Sequence, residues 1–277
     1  MEIGFTKMHG LGNDFIVIDN FSGRIKLSKG QIFSLCDRHK GIGADGLILV
    51  EKSISFGEGK GEALDCFMNY YNADGTEAEM CGNGIRCTAL FLKNYYLKDK
   101  KIFKIETRAG NKEVVYEKDG TFSVNMGKPI FSHQDFPKEK INQEGLGLDF
   151  VSMGNPHAVA FVENLEAFDL QKIGPLIENN SIFPNKINLE IVEKNTQALP
   201  VYKVKVWERG CGATLACGTG ACAVYAIVKK SLSKAELEKE IIIELPGGKL
   251  FIKENERGEI IMRGEAKGVF SGTFEID

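Results

Sequence analysis

The sequence lacks any C-x-x-C pair, although it contains seven cysteines. Five residues separate Cys81 from Cys87, and four separate Cys217 from Cys222. The close spacing of a structural zinc site is therefore missing, and we expect no bound metal. Because the number of cysteines is odd, they cannot all pair with one another within the chain. Buried packing is the expected role for most of them.

Long apolar runs and a strong excess of either charge are also missing. No apolar run reaches the roughly 18 residues that suggest a membrane span, and Met1–Phe5 lack the basic-then-apolar pattern of a signal peptide. The formal net charge of −3 gives no electrostatic case for nucleic-acid binding. We therefore expect a cytoplasmic protein that binds neither membranes nor nucleic acids. Its composition, 43% hydrophobic and 26% charged, is typical of a globular protein with a core.

What the chain does contain is an internal repeat. The segment CGNG at Cys81–Gly84 recurs as CGTG at Cys217–Gly220, 136 positions later (217 − 81). Three weaker echoes occur in the same order and at nearly the same separations. They are Gly12-Asn13 with Gly154-Asn155, 109–112 with 246–249, and Gly127 with Gly264. Four matches in register indicate a duplicated unit.

The local pattern around each cysteine repeats as well. A predicted strand (64–70 or 201–206) is followed by a polar loop, the cysteine, and an apolar helix over 84–98 or 220–234. Shorter β-like runs separated by turn signals fill much of the remainder. These further strands are predicted at 15–19, 46–50, 102–107, 112–116, 158–162, 241–245, 249–253 and 259–262, and further helices at 28–38 and 170–179.

These patterns predict a mixed α/β fold of the α+β class with two pseudo-symmetric domains. Each domain is expected to be a strand-rich, barrel-like layer wrapped around one central apolar helix, because that helix is mostly apolar through its middle. The active site is expected in the cleft between the domains.

Cys81 and Cys217 each stand where a Gly-rich turn enters a helix. The partial positive charge of a helix N-terminus lowers a thiol pKa from about 8.5 toward roughly 3.5–7.5, so we expect two thiols with lowered pKa values. The same amide N–H groups can hold a carboxylate. Inversion of a carbon centre needs an acid on one face and a base on the other. Two similar thiols beside two anion sites therefore predict racemisation or epimerisation at an amino-acid α-carbon.

Several long segments make the chain similar to one family. MHGLGNDF, NADGTEAEMCGNGIRC, SMGNPH, ERGCGATLACGTGACA and ELPGGKL resemble the signature segments of the diaminopimelate epimerases, and the resemblance covers essentially the whole chain. It implies conversion of LL-2,6-diaminopimelate to the meso form without cofactor, in lysine and peptidoglycan precursor synthesis. It also implies a first domain of residues 1–125 with 264–277 returning to it, and a second domain of 126–263. We further expect a homodimer.

The resemblance also assigns site residues. Cys81 is implied as proton donor and Cys217 as proton acceptor, with His157 and Glu208 tuning the thiols. Arg209 suits a carboxylate and Glu208 an ammonium at the unreacting end of the substrate. The implied substrate-binding residues are Asn13, Asn72, Gly82, Asn83, Asn155, Asn188, Glu208, Arg209, Gly218 and Thr219.

Two positions depart from the family pattern, and two alternatives stay open. Gly46 stands where some members have glutamine, and Cys211 stands where a small residue is common, so we interpret Cys211 as packing. One alternative is a proline racemase or hydroxyproline epimerase of the same fold, against which the Glu208-Arg209 pair argues. The other is a redox-switched or metal-binding module that uses Cys81 and Cys217.

Overall fold

The fold is sheet-dominated. A computed structural model describes residues 1–53, 63–132, 134, 136–137, 141–195, 201–233 and 239–276, and these form 17 strands and 4 helices. The strands are β1 Glu2–Gly10, β2 Asn13–Asp19, β3 Gly46–Glu51, β4 Cys66–Asn72, β5 Ile102–Thr107, β6 Gly110–Tyr116, β7 Phe122–Gly127, β8 Ile141–Gln143, β9 Leu146–Ser152, β10 Pro156–Phe161, β11 Asn188–Asn195, β12 Val201–Glu208, β13 Gly212–Thr214, β14 Ile241–Leu245, β15 Gly248–Glu254, β16 Ile260–Gly264 and β17 Lys267–Glu275. The helices are α1 Lys29–Cys36, α2 Gly82–Tyr95, α3 Leu170–Glu178 and α4 Gly218–Val228.

The chain divides into two compact units. The first unit consists of Met1–Val124 and Gly264–Asp277, and the second of Asn125–Arg263. None of the helices in the described part of the chain has the length and hydropathy that crossing a bilayer requires.

The sheet of the first unit wraps around one helix. Its strands pair in the order β17-β1-β2-β3-β4-β5-β6-β7, and β2–β3 and β4–β5 are the parallel pairs. Helix α2 contacts β17 and every strand from β1 to β6. Most of its residues are buried, so its apolar side chains fill the interior of this unit.

The second unit repeats the same succession of pairings. Its strands pair in the order β9-β10-β11-β12-β14-β15-β16, with parallel pairs β10–β11 and β12–β14. Helix α4 contacts β9, β10, β11, β14 and β15, and all its residues except Thr219 are buried. The matching order of parallel and antiparallel pairs confirms the duplication predicted from the sequence.

Both apolar helices end earlier than predicted. Helix α2 ends at Tyr95, and the N–H of Leu97 then bonds the carbonyl of Leu92 (2.7 Å), which closes the last turn. Helix α4 ends at Val228, and a single 3-10 turn follows at residues 229–231. There the Lys229 ammonium leaves the apolar interior and pairs with Glu254 at 2.8 Å. Lys229 therefore marks the point where the chain leaves the interior after α4, rather than a further helical turn.

Close packing between α3 and β12 depends on Gly174. A Cβ atom at this position would lie 2.4–2.6 Å from atoms of the Trp207 indole ring. The ring is held in place because its Nε1–H donates to Oε2 of Glu178 at 2.7 Å. The helix can therefore approach the strand only without a side chain at residue 174.

We expect Gly174→Ala to lower the free energy of unfolding by about 1–3 kcal/mol, because overpacking displaces the Trp207 ring. Chemical denaturation monitored by tryptophan fluorescence measures the change. Gly30→Ala in α1 is the matched control, since a Cβ there meets nothing within 4 Å and alanine favours the helix by up to about 1 kcal/mol. Equal stability of the two variants would contradict the packing argument.

Candidate active site

The two repeated cysteines hold equivalent positions in their units. Each is the N-cap of its buried helix in an extended backbone conformation, with φ −136° and ψ 122° for Cys81 and φ −117° and ψ 115° for Cys217. The Sγ atom accepts a hydrogen bond from the N–H of Gly84 (3.4 Å) or Gly220 (3.3 Å). The sulphur thus satisfies an amide that the helix itself cannot bond.

In the first unit, Asn13 connects the thiol to the following helix. The thiol of Cys81 donates to Oδ1 of Asn13 at 3.7 Å, and Nδ2 of Asn83 donates to the same oxygen at 3.1 Å. The Asn13 amide nitrogen donates in turn to Oδ2 of Asp45 at 3.0 Å. The amide orientation is therefore set by the carboxylate on one side and by the thiol and Asn83 on the other.

A fully buried arginine also holds the first turn of α2. The Arg86 guanidinium donates to the Gly82 carbonyl (3.0 Å), to Oδ1 of Asn83 (2.8 Å) and to the Glu265 carbonyl (3.1 Å). A Cβ on Gly10 would lie 3.0 Å from Nη2 of Arg86. The arginine therefore fixes both residues that follow Cys81 at the start of α2.

Asp14 adds a charge network beside Asn13. Its carboxylate pairs with Lys7 (2.7 Å) and with Arg38 (2.8 Å), and Arg38 also pairs with Asp45 (2.7 Å). Burial alone would raise the pKa of Asp14, but the hydrogen bonds from Arg38 and Lys7 outweigh it and hold that pKa at about 2. The carboxylate stays ionised, so the start of β2 with Asn13 and the loop that carries Asp45 stay anchored at neutral pH.

The second unit surrounds its thiol with a longer series of polar side chains. Sγ of Cys217 lies 3.4 Å from Oγ1 of Thr219, to which Nδ2 of Asn155 donates at 3.4 Å. Oδ1 of Asn155 lies 3.0 Å from Nε2 of His157, and Nδ1 of His157 lies 2.7 Å from Oε1 of Glu190. Asn155 and Thr219 thus match Asn13 and Asn83 of the first unit, while His157 and Glu190 have no polar counterpart among the described residues of that unit.

Glu208 lies directly at the second thiol. Its Oε1 accepts a hydrogen bond from Oγ1 of Thr214 at 2.5 Å, and its carboxylate is also hydrogen-bonded to Cys217. Burial raises the pKa of Glu208, and the negative charge of Glu190 raises it further.

The expectation of a lowered thiol pKa is wrong for Cys217. Burial raises the pKa of this thiol well above its ordinary value, and the charges of Glu208 and Glu190 act in the same direction. The hydrogen bonds from Thr219 and the Gly220 N–H lower it, but by less. Burial and two carboxylates therefore dominate over the helix N-terminus, and the sulphur keeps its proton in the ligand-free protein.

The other predicted binding residues lie at the ends of β4, β11 and β12. The Asn72 amide accepts from the Tyr70 hydroxyl (3.2 Å) and donates to Thr76 (3.1 Å). Asn188 is buried, donates to the Pro156 carbonyl (2.7 Å) and accepts from the Arg209 N–H (2.9 Å). The Arg209 guanidinium is exposed and donates to the Asn185 carbonyl at 3.0 Å. Asn188 therefore orients the backbone from which Arg209 reaches solvent.

The structure explains one of the two departures from the family pattern and corrects our interpretation of the other. A Cβ on Gly46 would lie 2.7 Å from both Cε2 of Tyr70 and the Tyr71 carbonyl oxygen. The Tyr70 ring thus fills the space that a glutamine side chain would need. Cys211 is exposed, in the turn between β12 and β13, so its interpretation as a packing residue is wrong.

Sequence reasoning missed Arg86 and Glu190. Each is a charged residue within an apolar stretch, in "GIRCTALF" and "INLEIV", and such a residue must find a partner if the stretch is buried. That pattern is the signal that could have identified them. Their partners, Glu265 and His157, lie 179 and 33 positions away, so the pairings themselves were not predictable.

Comparison with known proteins matches nearly the whole chain to one family. A family model described as diaminopimelate epimerase matches residues 5–132 and 150–269. The diaminopimelate epimerase of Methanococcus maripaludis strain C5 is 43% identical, over 98% of this chain and 99% of its own. That of Carboxydothermus hydrogenoformans is 44% identical, with 98% of both chains covered.

Solved structures share the fold at low sequence identity. A PhzF-family phenazine biosynthesis protein from Bacillus anthracis has a TM-score of 0.71 at 18% identity and covers 100% of both chains. A hydroxyproline epimerase from Agrobacterium vitis with bound trans-4-hydroxy-L-proline has a TM-score of 0.67 at 14% identity, covering 99% of this chain and 91% of that one. These matches confirm the predicted fold class.

We expect iodoacetamide to label Cys217 slowly at neutral pH in the ligand-free protein, because the raised pKa keeps the sulphur protonated. The labelling rate should increase only at pH values above the ordinary pKa range of a thiol. Glu208→Gln should move that increase to lower pH, because it removes one negative charge. Mass spectrometry of the Cys217 peptide as a function of pH measures the rate, and exposed Cys211 serves as the internal reference. Maximal labelling at neutral pH, or an unchanged profile in Glu208→Gln, would contradict the raised pKa.

Proposed function

The chain belongs to the diaminopimelate epimerase family, and we propose that it converts LL-2,6-diaminopimelate to the meso isomer with Cys81 and Cys217 as its acid and base. The observation that carries the proposal is the pair of cysteine N-caps. Each unit of the repeat supplies one thiol at the start of a buried helix, in the same backbone conformation. Inversion requires two such groups, one to remove the α-proton and one to return a proton to the other face of the carbon.

For the LL to meso direction we propose that Cys217 accepts the proton and Cys81 donates one. The raised pKa of Cys217 makes its thiolate a strong base once it has formed, which suits a weakly acidic α-proton. Glu208 contacts this thiol directly and sets how firmly the sulphur holds its proton. The two roles exchange when the reaction runs in reverse.

Removal of an α-proton places negative charge on the substrate carboxylate. We propose that the N-terminal turns of the two helices, with Gly82, Asn83, Gly218 and Thr219, stabilise that charge. Helix N-termini present oriented amide N–H groups and a partial positive charge. Fixed donors of this kind contribute about 2.7–4 kcal/mol each when the charge develops, so the two thiols can carry the proton transfer without a cofactor.

We propose that the protein selects diaminopimelate by binding the end of the substrate that does not react. The exposed guanidinium of Arg209 is suited to a second carboxylate, and Glu208 to a second ammonium. We assign Asn13, Asn72, Asn155 and Asn188 to the polar groups of the substrate, with His157 as a further tuning residue. A cyclic substrate such as proline has no distal amino-acid end, and this difference separates the two epimerase hypotheses.

We further propose that the protein acts as a homodimer in the cytoplasm, in lysine and peptidoglycan precursor synthesis. Support for self-association comes from β17, which pairs only with β1 among the described strands and exposes Val269 and Phe270. Such an apolar sheet edge favours pairing with another chain. Light scattering should give twice the mass of one chain, and the mass of a single chain would contradict the dimer.

We expect Cys81→Ala and Cys217→Ala each to abolish epimerisation of LL-diaminopimelate, because each removes one of the two proton-transfer groups. Incorporation of solvent deuterium at the α-carbon of LL-diaminopimelate in D₂O, followed by NMR together with formation of the meso isomer, measures the activity. The wild type should exchange diaminopimelate and leave proline unchanged.

Cys211→Ala is the matched control, since this thiol lies near Glu208 in the chain but is exposed and has no assigned role. It should retain wild-type turnover. Near-normal turnover in either alanine variant of the capping cysteines, or turnover of proline alone, would overturn the proposal.

A further inference from the structure

Glu190 is a fully buried carboxylate on β11. Its Oε1 lies 2.7 Å from Nδ1 of His157, and both side chains have 0% exposure. Among the described residues, Oε2 of Glu190 has no hydrogen-bond partner. A buried carboxylate oxygen without a hydrogen-bond partner lowers the stability of the folded protein. The presence of Glu190 at this position therefore opposes folding.

The carboxylate also lies against the first turn of α4. A Cβ on Gly220 would lie 2.5 Å from Oε1 of Glu190. Gly220 is the same residue whose N–H is capped by Sγ of Cys217. The absence of a side chain at Gly220 therefore leaves room for Glu190 close beneath the thiol.

The contacts between Glu190 and Cys217 form a continuous series with two consistent hydrogen-bond arrangements. With Cys217 as thiolate, His157 carries both ring protons and donates to Glu190 and Asn155, Asn155 donates to Thr219, and Thr219 donates to the sulphur. With Cys217 as thiol, its Sγ–H donates to Thr219 and the Thr219 hydroxyl donates to the amide oxygen of Asn155. The Asn155 amide is then turned by 180°, so that its NH2 group donates to Nε2 of His157. In both arrangements Nδ1–H donates to Glu190.

We propose that Glu190 is a positioning residue that fixes the proton of His157 on Nδ1 and thereby supports the thiolate form of Cys217. The two arrangements contain the same number of protons: when the Sγ–H bond of Cys217 breaks, an Nε2–H bond forms on His157. Glu190 stabilises the resulting imidazolium, as the buried carboxylate of a catalytic triad does for its histidine. Glu208 contacts the thiol directly, whereas the proposed role of Glu190 acts through His157: the charge of Glu190 by itself raises the pKa of the Cys217 thiol, and the imidazolium that Glu190 stabilises brings a positive charge that offsets this effect. The inference rests on the proposed role of Cys217.

The test is Glu190→Gln, which keeps the side-chain volume and an oxygen for Nδ1–H but removes the charge. We expect kcat for LL-diaminopimelate to decrease about 10- to 100-fold, by analogy with loss of a group that orients a metal-bound histidine, with KM unchanged. The control is Glu193→Gln on the same strand, where the carboxylate bonds the Leu165 N–H at 2.6 Å. Glu193→Gln should keep the wild-type kcat. Wild-type kcat in Glu190→Gln, or equal losses in both variants, would overturn the inference.

A second measurement uses the unmodified protein and needs no substrate. The chain has four histidines, so ¹H–¹⁵N spectra of the imidazole rings can resolve His157. We expect the proton of the neutral His157 imidazole to lie on Nδ1, the nitrogen that faces Glu190. An unprotonated Nδ1 would overturn the inference even if Glu190→Gln did not fold. If Nδ1 is protonated but LL-diaminopimelate is not turned over, the inferred arrangement stands and the proposed function fails.

Discussion

The rest of the structure depends on one hydrogen bond that occurs twice: a backbone N–H of a buried helix donates to the sulphur of the cysteine that begins it. Because α2 and α4 are enclosed by their sheets, their first turns cannot shift without disturbing the interior of each unit. The bond therefore gives each Sγ a fixed position. A group that is to exchange protons with a substrate carbon needs such a position, since small displacements are costly in catalysis.

The two units differ in the charged side chains near the capping cysteine. In the first unit the turn is held by the guanidinium of Arg86, whereas in the second the thiol faces the carboxylates of Glu208 and Glu190. The repeat therefore keeps the geometry of the cap while the charged side chains around it differ. Under the proposed mechanism each direction of reaction starts with one thiol and one thiolate. Different surroundings distinguish two groups that the backbone makes equivalent.

Local patterns were sufficient to predict much of this arrangement. The repeat located both cysteine caps, and the predicted bounds of β5 and β14 agree with the structure. The pattern did not reveal seven of the strands, which are β1, β7, β8, β9, β11, β13 and β17. The direction of the Cys217 pKa was predicted wrongly, because burial and the charge of Glu190 come from residues distant in sequence. The space at Gly46 is likewise closed by Tyr70, which only the pairing of β3 with β4 brings there.

The missed residues share a physical property that explains why they matter. Arg86 and Glu190 are charges that the fold encloses, and the desolvation of each opposes folding unless partners compensate. Arg86 is compensated by three acceptors, two of them in the turn that follows Cys81. Glu190 is compensated on one oxygen only. A neutral residue in its place would relieve that cost but would leave Nδ1 of His157 without a charged partner. The incomplete compensation of Glu190 is therefore consistent with a group retained for the state of Cys217 rather than for the stability of the second unit.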